Sequence, residues 1–474
     1  MILTGLAVGA ALGIVMQRGR FCVTGMLRDL FMLRSWRTLT ALFIVIAVHS
    51  VGIAALTSVG IISPDPTTFA PVAVIVGGFL FGLAIVLAGG CASGTWYRSG
   101  EGLVGSWIAL VFYALSAAAM KTGPLTGFNK AMKSWDTGWT NLPDTFGVSL
   151  WWFAIPMALF AGWAAQRFLQ RDAAKPRMAI LDQPTWKKPL HVYTAGILVG
   201  LIGVIAWPLS AATGRNDGLG ITTPSANLAH WTVTADSGRL DWGVMLVLGI
   251  LVGSFLAARA TGEFRVRVPS AQQASRSVVG GIGMGVGASL AGGCTVGNGM
   301  VQTSLFSYQG WVALLFIALG VGVAAKLWLK PEEAGKLDPG YGPSAPATAD
   351  AAPASAVPTA SGVGSASAGQ ALGGPAGGLK VATGLISVGE KRSPKARPLG
   401  GGRYFLDQMG AVCPFPLIEL KDVLATLDDG EELVMDFDCT QGTDTIPRWA
   451  ADNGHEVTDF HANGNAGWQI AIRK

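Results

Sequence analysis

Nine stretches in the first two thirds of this chain are long, apolar and nearly free of charge: residues 2–17, 38–60, 70–90, 102–122, 148–169, 191–209, 241–259, 278–293 and 309–329. Each is close to the roughly 20 residues a helix needs to cross a bilayer. Inside lipid a backbone must satisfy its own hydrogen bonds, which leaves such segments little choice but helix. Composition agrees. The chain is 50% hydrophobic and only 13% charged, against about 25% charged in an ordinary soluble domain. Its 65 glycines suit helices that pack closely in lipid. The first, third and eighth stretches are short and glycine-laden, so they are candidates for broken or re-entrant helices.

Charge sets the orientation. Nothing basic precedes the first apolar run, while Arg18, Arg20, Arg28, Arg34 and Arg37 follow it. A secretory signal has the reverse order, so this reads as a retained helix. The loops after the fifth stretch (Arg167, Arg171, Lys175, Arg177, Lys187, Lys188) and the seventh (Arg259, Arg265, Arg267, Arg276) are also basic. The positive-inside rule then predicts an outside N-terminus and a cytoplasmic C-terminus. The loop after the fourth stretch, with Lys121, Lys130 and Lys133, fits this poorly.

An internal repeat is visible. "GGFLFGLAIVLAGGCASG" around Cys91 and "GGIGMGVGASLAGGCTVG" around Cys294 lie 203 positions apart, and "GLAVG" at 5–9 is echoed by "GILVG" at 196–200. The third stretch enters from outside and the eighth from inside, so the copies are expected to be inverted. Such repeats gather matching elements about the bilayer midplane. A third cysteine, Cys22 in "GRFCVTG", shares the frame: all three membrane cysteines are C-x-x-G.

For any one of these cysteines the plain reading is a small buried hydrophobe. Three in one frame, two of them in a repeat, favour a shared task. A thiol in apolar surroundings stays neutral and offers a weak donor and a polarisable sulfur. Several weak contacts in series suit passage of a soft, sulfur-bearing anion. Gly90 and Gly293, just before Cys91 and Cys294, are expected to break the helix and turn backbone N–H groups inward, an anion-binding arrangement. Arg18, Arg20 and Arg98 lie within a few residues of Cys22 or Cys91 and would offset desolvation of an anion; ordinary loop charges are the alternative. His49 is an ionisable group well inside a span, a functional candidate by default, or else a packed neutral histidine. Glu101 and Tyr97 follow the first Gly-Gly-Cys turn as accessory candidates.

Residues 1–330 are therefore read as the membrane domain and 331–402 as a linker, since 342–379 are almost wholly Pro, Ala, Ser, Gly and Thr and cannot bury a core. Residues 403–474 form a compact soluble domain. "RYFLDQ" and "EELVMDFDC" read as strands, "PFPLIELKDVLATL" and "TIPRWAADNG" as helices, and "HEVTDFHANGNAGWQIAIRK" as a hairpin. In "CPFP" a proline in the first helical turn places Cys413 at a helix start, where the dipole lowers a thiol pKa. Cys439 reads as a buried strand residue, or alternatively as a second thiol that receives or resolves a persulfide. The five cysteines have no metal-ligand spacing and form no disulfide framework. No metal, organic cofactor or nucleic-acid partner is expected.

The two LAGGC-x-x-G stretches with the upstream RGRFC-x-x-G resemble the YeeE/YedE membrane proteins over residues 1 to about 330. That resemblance implies a compact α-helical fold of inverted repeats in the bacterial inner membrane, with Cys22, Cys91 and Cys294 relaying thiosulfate. Residues 404–474, with their Cys-Pro-x-Pro motif at Cys413–Pro416, resemble the TusA/SirA/YeeD sulfur carriers. This implies a βαβαββ two-layer sandwich, a reactive Cys413 and cytoplasmic sulfur-acceptor proteins as partners. The combined expectation is an importer that docks its own sulfur-handling domain, held by the linker at roughly millimolar effective concentration. The rivals are a membrane-bound sulfurtransferase that passes persulfide sulfur, and a thiol redox sensor.

Overall fold

The computed structural model describes residues 2–32, 35–65, 67–173, 188–269, 271–328, 396–409, 411, 415–439, 441–463 and 467–474. Among them the membrane domain contributes α1 (Leu3–Arg18), α2 (Val23–Met32), α3 (Arg37–Ser58), α4 (Pro71–Leu87), α5 (Ala92–Gly100), α6 (Val104–Lys121), α7 (Thr126–Lys133), α8 (Leu142–Phe146) and α9 (Trp151–Ala173). After these come α10 (Val192–Ala211), α11 (Thr222–Thr234), α12 (Trp242–Thr261), α13 (Ala271–Leu290) and α14 (Tyr308–Trp328).

Helices α1, α3, α4, α6, α9, α10, α12, α13 and α14 coincide with the nine apolar stretches, within a few residues except at the start of α13. Among the described residues, seven segments are long and apolar enough to cross a membrane by length and composition. The other two long helices are α9, which ends in Arg167, Arg171 and Asp172, and α13, which opens on Gln272, Gln273 and Arg276.

The first half, α1–α6, and the second, α10–α14, pack by one rule. α1 lies along α12 as α10 lies along α3, and α4 lies along α14 as α13 lies along α6. At the centre α4 and α13 cross antiparallel, with Gly77 against Leu290 and Gly280 against Ala84 and Ala88. The single helix α9, packed on α3, has no counterpart. Each half has four long helices, so it is this one extra crossing that inverts the second copy. Contact is close enough to exclude side chains. A Cβ on Gly9 of α1 would lie 2.0 Å from the Leu246 carbonyl oxygen of α12.

The C-terminal domain has strands β1 (Arg397–Gly400), β2 (Arg403–Gln408), β3 (Glu432–Phe437), β4 (Glu456–Asn463) and β5 (Gly467–Arg473), with helices α15 (Phe415–Thr426) and α16 (Gly442–Asp452). The sheet order is β1-β2-β3-β5-β4, with β2 and β3 parallel and the other pairs antiparallel. Leu420 and Leu424 of α15 and Ile446 of α16 pack on Leu406, Met435 and Ile470 of the sheet. Two expectations are corrected. The pattern βαβαββ gains a leading strand, β1, whose register with β2 slips between Pro398 and Gly400, where three consecutive glycines follow. Cys439 is not a strand residue: β3 ends at Phe437, and Cys439 is partly exposed and disulfide-bonded. Just past the end of β3, Asp438 pairs with an arginine of the membrane domain. Cys413 lies outside the described residues.

Candidate functional site: three thiols and a docked domain

Three helices of the membrane domain break just before a cysteine. α1 stops at Arg18, and Arg20 takes a left-handed conformation (φ 49°) ahead of Cys22 and α2. That conformation is uncommon for a residue with a side chain, and such strain clusters at functional positions. α4 stops at Leu87, and Gly89 (φ 74°) turns the chain into Cys91, which precedes α5. α13 stops at Leu290, and Gly292 (φ 80°) performs the same turn before Cys294 and a π-helical turn over Gly297–Gln302. In both repeats it is the first glycine of Gly-Gly-Cys that adopts the left-handed backbone. The second, Gly90 or Gly293, instead lets a polar side chain approach. A Cβ on Gly90 would lie 3.3 Å from the Arg98 guanidinium, and one on Gly293 would lie 3.3 Å from the Asn298 amide oxygen.

The breaks bring the cysteines together. Cys22, Cys91 and Cys294 are free and buried. The Cys22 and Cys91 thiols are neighbours, both within 3.8 Å of where a Cβ on Gly94 would stand, and Cys91 Sγ is 3.4 Å from Ser93 Oγ. Thr295, the neighbour of Cys294, faces Cys91, although its hydroxyl falls short of a full hydrogen bond. Cys91 is therefore the middle thiol. Tyr113 is fully buried in α6 and donates to Thr222 Oγ1 at 2.9 Å. Thr222 opens α11, which follows the fourth interruption of the bundle.

Fixed polar groups hold the turns. The Arg98 guanidinium donates to the Gly89 carbonyl. In the second repeat an amide does this work: Asn298 Nδ2 donates to the carbonyls of Ala291 (2.8 Å) and Gly293 (2.9 Å), and Gln309 Nε2 donates to Asn298 Oδ1 (2.9 Å). Sequence reading singled out neither Asn298 nor Gln309. Their signal was available, since each is an uncharged polar residue beside an apolar run close to Gly-Gly-Cys.

The remaining candidates are placed as follows. Arg98 and Arg28 are the charges nearest Cys22. Arg18 donates to the Lys188 carbonyl and lies 3.8 Å from Glu263. Arg20 pairs with Glu263 at 3.3 Å. Glu101 is 3% exposed at the end of α5. Burial, and then the Glu263 carboxylate, push its pKa up to about 7 against the pull of Arg267, Arg98 and Arg20. His49 is buried where α3 crosses α10, with Gly203 against its ring. Tyr97 lies under the Arg98 guanidinium, 5.9 Å from ring centre to Cζ. Among the described residues no cluster of His, Cys, Asp or Glu suits a metal.

The C-terminal domain sits over the Cys22 end. Arg20 donates to Thr443 Oγ1 and lies 5.6 Å from the centre of the Trp468 ring. Arg267 pairs with Asp438 at 3.4 Å. The Gln441 side chain reaches Gly25, where its Nε2 would be 3.4 Å from a Cβ, and Cys22 Cβ is 3.9 Å from the same point. A cavity of about 10 Å³ remains between Arg28 and Asp29 on one side and Pro416, Leu417, Gly442, Thr445 and Ile446 on the other, room for roughly one water.

Fold and site together define a polytopic helical membrane protein built from inverted halves, with an α/β domain docked at one end of a line of buried thiols. The chain belongs to the Sulphur transport family, whose profile matches residues 18–323, and its tail, residues 404–474, is a TusA-type domain matching the Sulfurtransferase TusA profile. It is 45% identical over 343 residues to the thiosulfate transporter TsuA of Escherichia coli (strain K12), a match covering 71% of this chain and 97% of that protein. It is 33% identical over 336 residues to the thiosulfate transporter TsuA of Spirochaeta thermophila, covering 68% and 97% respectively. The tail is 54% identical over 69 residues to the putative sulfur carrier protein TsuB of Escherichia coli (strain K12), covering 15% of this chain and 92% of that protein.

Proposed function

We propose that this chain carries thiosulfate inward across the bacterial inner membrane and delivers it to its own C-terminal domain. The ion passes from Cys294 to Cys91 to Cys22 through hydrogen bonds between neutral thiols and its polarisable sulfur. The observation that supports this reading is the grouping of the thiols: Cys22, Cys91 and Cys294 are free and buried, Cys22 and Cys91 both border Gly94, and Cys22 adjoins the docked Gln441. The substrate is inferred from the names of the two relatives that this chain matches over most of their length.

Orientation is inferred from charge. The ends of α1, α9 and α12 and the starts of α3 and α10 meet on the side of the docked domain. There Arg37 Nε donates to Asp172 Oδ2 at 2.7 Å and Leu190 N to the Arg18 carbonyl at 2.9 Å. Those ends carry the basic loops, which favours a cytoplasmic position for that side and an outer position for the N-terminus.

In the tail, once a cytoplasmic dithiol has supplied the two electrons that open the disulfide at Cys439, the Cys413 thiolate attacks the outer sulfur of thiosulfate. A new S–S bond forms, the old one breaks, and sulfite leaves with the bonding pair, so that a cysteine persulfide remains for cytoplasmic sulfur-acceptor proteins.

Proteoliposome uptake of thiosulfate labelled separately at each sulfur tests the reading. With Cys413→Ala both labels are expected inside, and Cys22→Ala, Cys91→Ala or Cys294→Ala should lower uptake at least tenfold. Outer-sulfur label retained on membrane cysteines would replace ion transport with persulfide transfer. Unchanged uptake in the cysteine variants would remove the relay.

A further inference from the structure

Each cysteine tetrad holds one hydroxyl between its Cys and its Gly: Thr24 in Cys-Val-Thr-Gly, Ser93 in Cys-Ala-Ser-Gly and Thr295 in Cys-Thr-Val-Gly. All three are deeply buried, at 4%, 0% and 0% exposure. A hydroxyl in an apolar helix ordinarily donates back to the carbonyl one turn earlier. Ser50 does so to Ile46 (2.7 Å) and Ser99 to Thr95 (2.6 Å).

The helix breaks deny that bond to two tetrad hydroxyls. One turn before Thr24 stands Arg20, whose backbone is left-handed. One turn before Thr295 stands Ala291, whose carbonyl is taken by Asn298. Among the described residues five buried hydroxyls have no partner, and Thr24 Oγ1 and Thr295 Oγ1 are two of them. The third, Ser93, lies 3.4 Å from the Cys91 thiol. A donor buried in this way is costly unless something arrives to accept from it.

We propose that Thr24, Ser93 and Thr295 are the oxygen-side ligands of the transported anion, so that each station holds thiosulfate by both ends. This rests on the relay reading above. The thiol faces the terminal sulfur. The hydroxyl donates to a sulfonate oxygen, and a hydrogen bond to a charged oxygen is stronger than one from a thiol to sulfur. A two-ended grip selects an ion with sulfur at one end and oxygens at the other. Hydrosulfide has no oxygen to offer and sulfate no terminal sulfur.

The test compares Thr24→Val, Thr295→Val and their combination with Thr24→Ser and Thr295→Ser in the full chain. Uptake is measured against thiosulfate concentration in proteoliposomes, together with melting temperature with and without thiosulfate. The double valine variant should raise KM at least tenfold and lose most of the thiosulfate-induced rise in melting temperature. Its melting temperature without thiosulfate should not fall, because no hydrogen bond is removed. The serine variants should keep near wild-type KM. Wild-type KM and ligand shift in the valine variants would overturn the proposal, as would failure of serine to restore uptake. Cys91→Ala measured alongside separates the two readings: normal uptake there sinks the relay, whereas lost uptake there with a normal valine series sinks only the hydroxyl ligands.

Discussion

Cys22 and Cys91 belong to different broken helices, yet they meet across one glycine. A Cβ on Gly94 would lie 3.4 Å from Cys91 Sγ and 3.8 Å from Cys22 Sγ. The glycine of C-x-x-G thus keeps the space beside both thiols clear.

Gly94→Ala follows directly. Both distances are ordinary van der Waals contacts, so the fold should stand and the melting temperature should move by no more than a degree or two. In the relay proposed above, the added methyl group crowds both thiols, and uptake should fall at least tenfold. Equal uptake with normal expression would remove Gly94 from the path.

Gly9→Ala should behave in the opposite way. Its Cβ would lie 2.0 Å from a backbone oxygen of α12, and backbone cannot step aside as a flexible side chain can. Overpacking of this kind costs about 1–3 kcal/mol or more. A clear loss of melting temperature in detergent is expected, with uptake per folded molecule far less affected than in Gly94→Ala.

Glu101 gives a pH signature. Its folded pKa, about 7, is above the roughly 4.3 of a free glutamate. The folded state therefore holds the proton more tightly than the unfolded state. The stability this confers is fully present below about pH 4, falls as pH rises, and is gone once pH passes the folded value. By about 1.4 kcal/mol per pKa unit the full effect is a few kcal/mol. Glu101→Gln should then raise the melting temperature at pH 8 and change it little at pH 5. A uniform shift at both values would contradict the burial argument.

The docking face can be tested by charge exchange. Arg267 and Asp438 are 14% and 7% exposed in their side chains, and reversing one partner of a well-buried pair leaves an uncompensated charge costing about 3–5 kcal/mol. With a protease site placed among residues 342–379, the cut wild-type tail should co-elute with the membrane domain. Arg267→Glu or Asp438→Arg should release it, and the double exchange should recover at least part of the binding. Release in all three would assign docking to other contacts.

Much of the fold could be read before any coordinates. Spans came from hydropathy, and inversion followed from an odd number of crossings between the copies of LAGGC. What escaped is non-local. The first glycine rather than the second carries the left-handed turn because Arg98 and Asn298 must pack on the second, and these partners arrive from the far side of the turn. The short helices α2, α5 and α11 are too brief to announce themselves by hydropathy. The frame C-x-x-G was legible, but not that Gly94 borders two sulfurs, because Cys22 reaches it from another helix. The docked pose depends on Arg20, Arg267 and Gln441, whose partners are hundreds of residues away in the chain. Strand β1 hid in a glycine-proline stretch with no alternation to reveal it.

The fourth interruption, ahead of α11, has a consequence for the molecule as a machine. Inverted halves with identical linings would show the same face to both compartments. Here the first half opens its short helix behind Cys22 and the second opens its own at Thr222, hydrogen-bonded to Tyr113. The two short helices thus open in different chemistry, one behind a thiol and the other at a hydroxyl. Such lopsidedness sets where a traveller pauses and how fast it departs. If the path proposed above is a passive corridor, this difference cannot choose a destination, because such a corridor has one equilibrium whichever door is used. Direction would then come from removal of the cargo at one end, and in the proposed function covalent tethering keeps the agent of that removal from diffusing away.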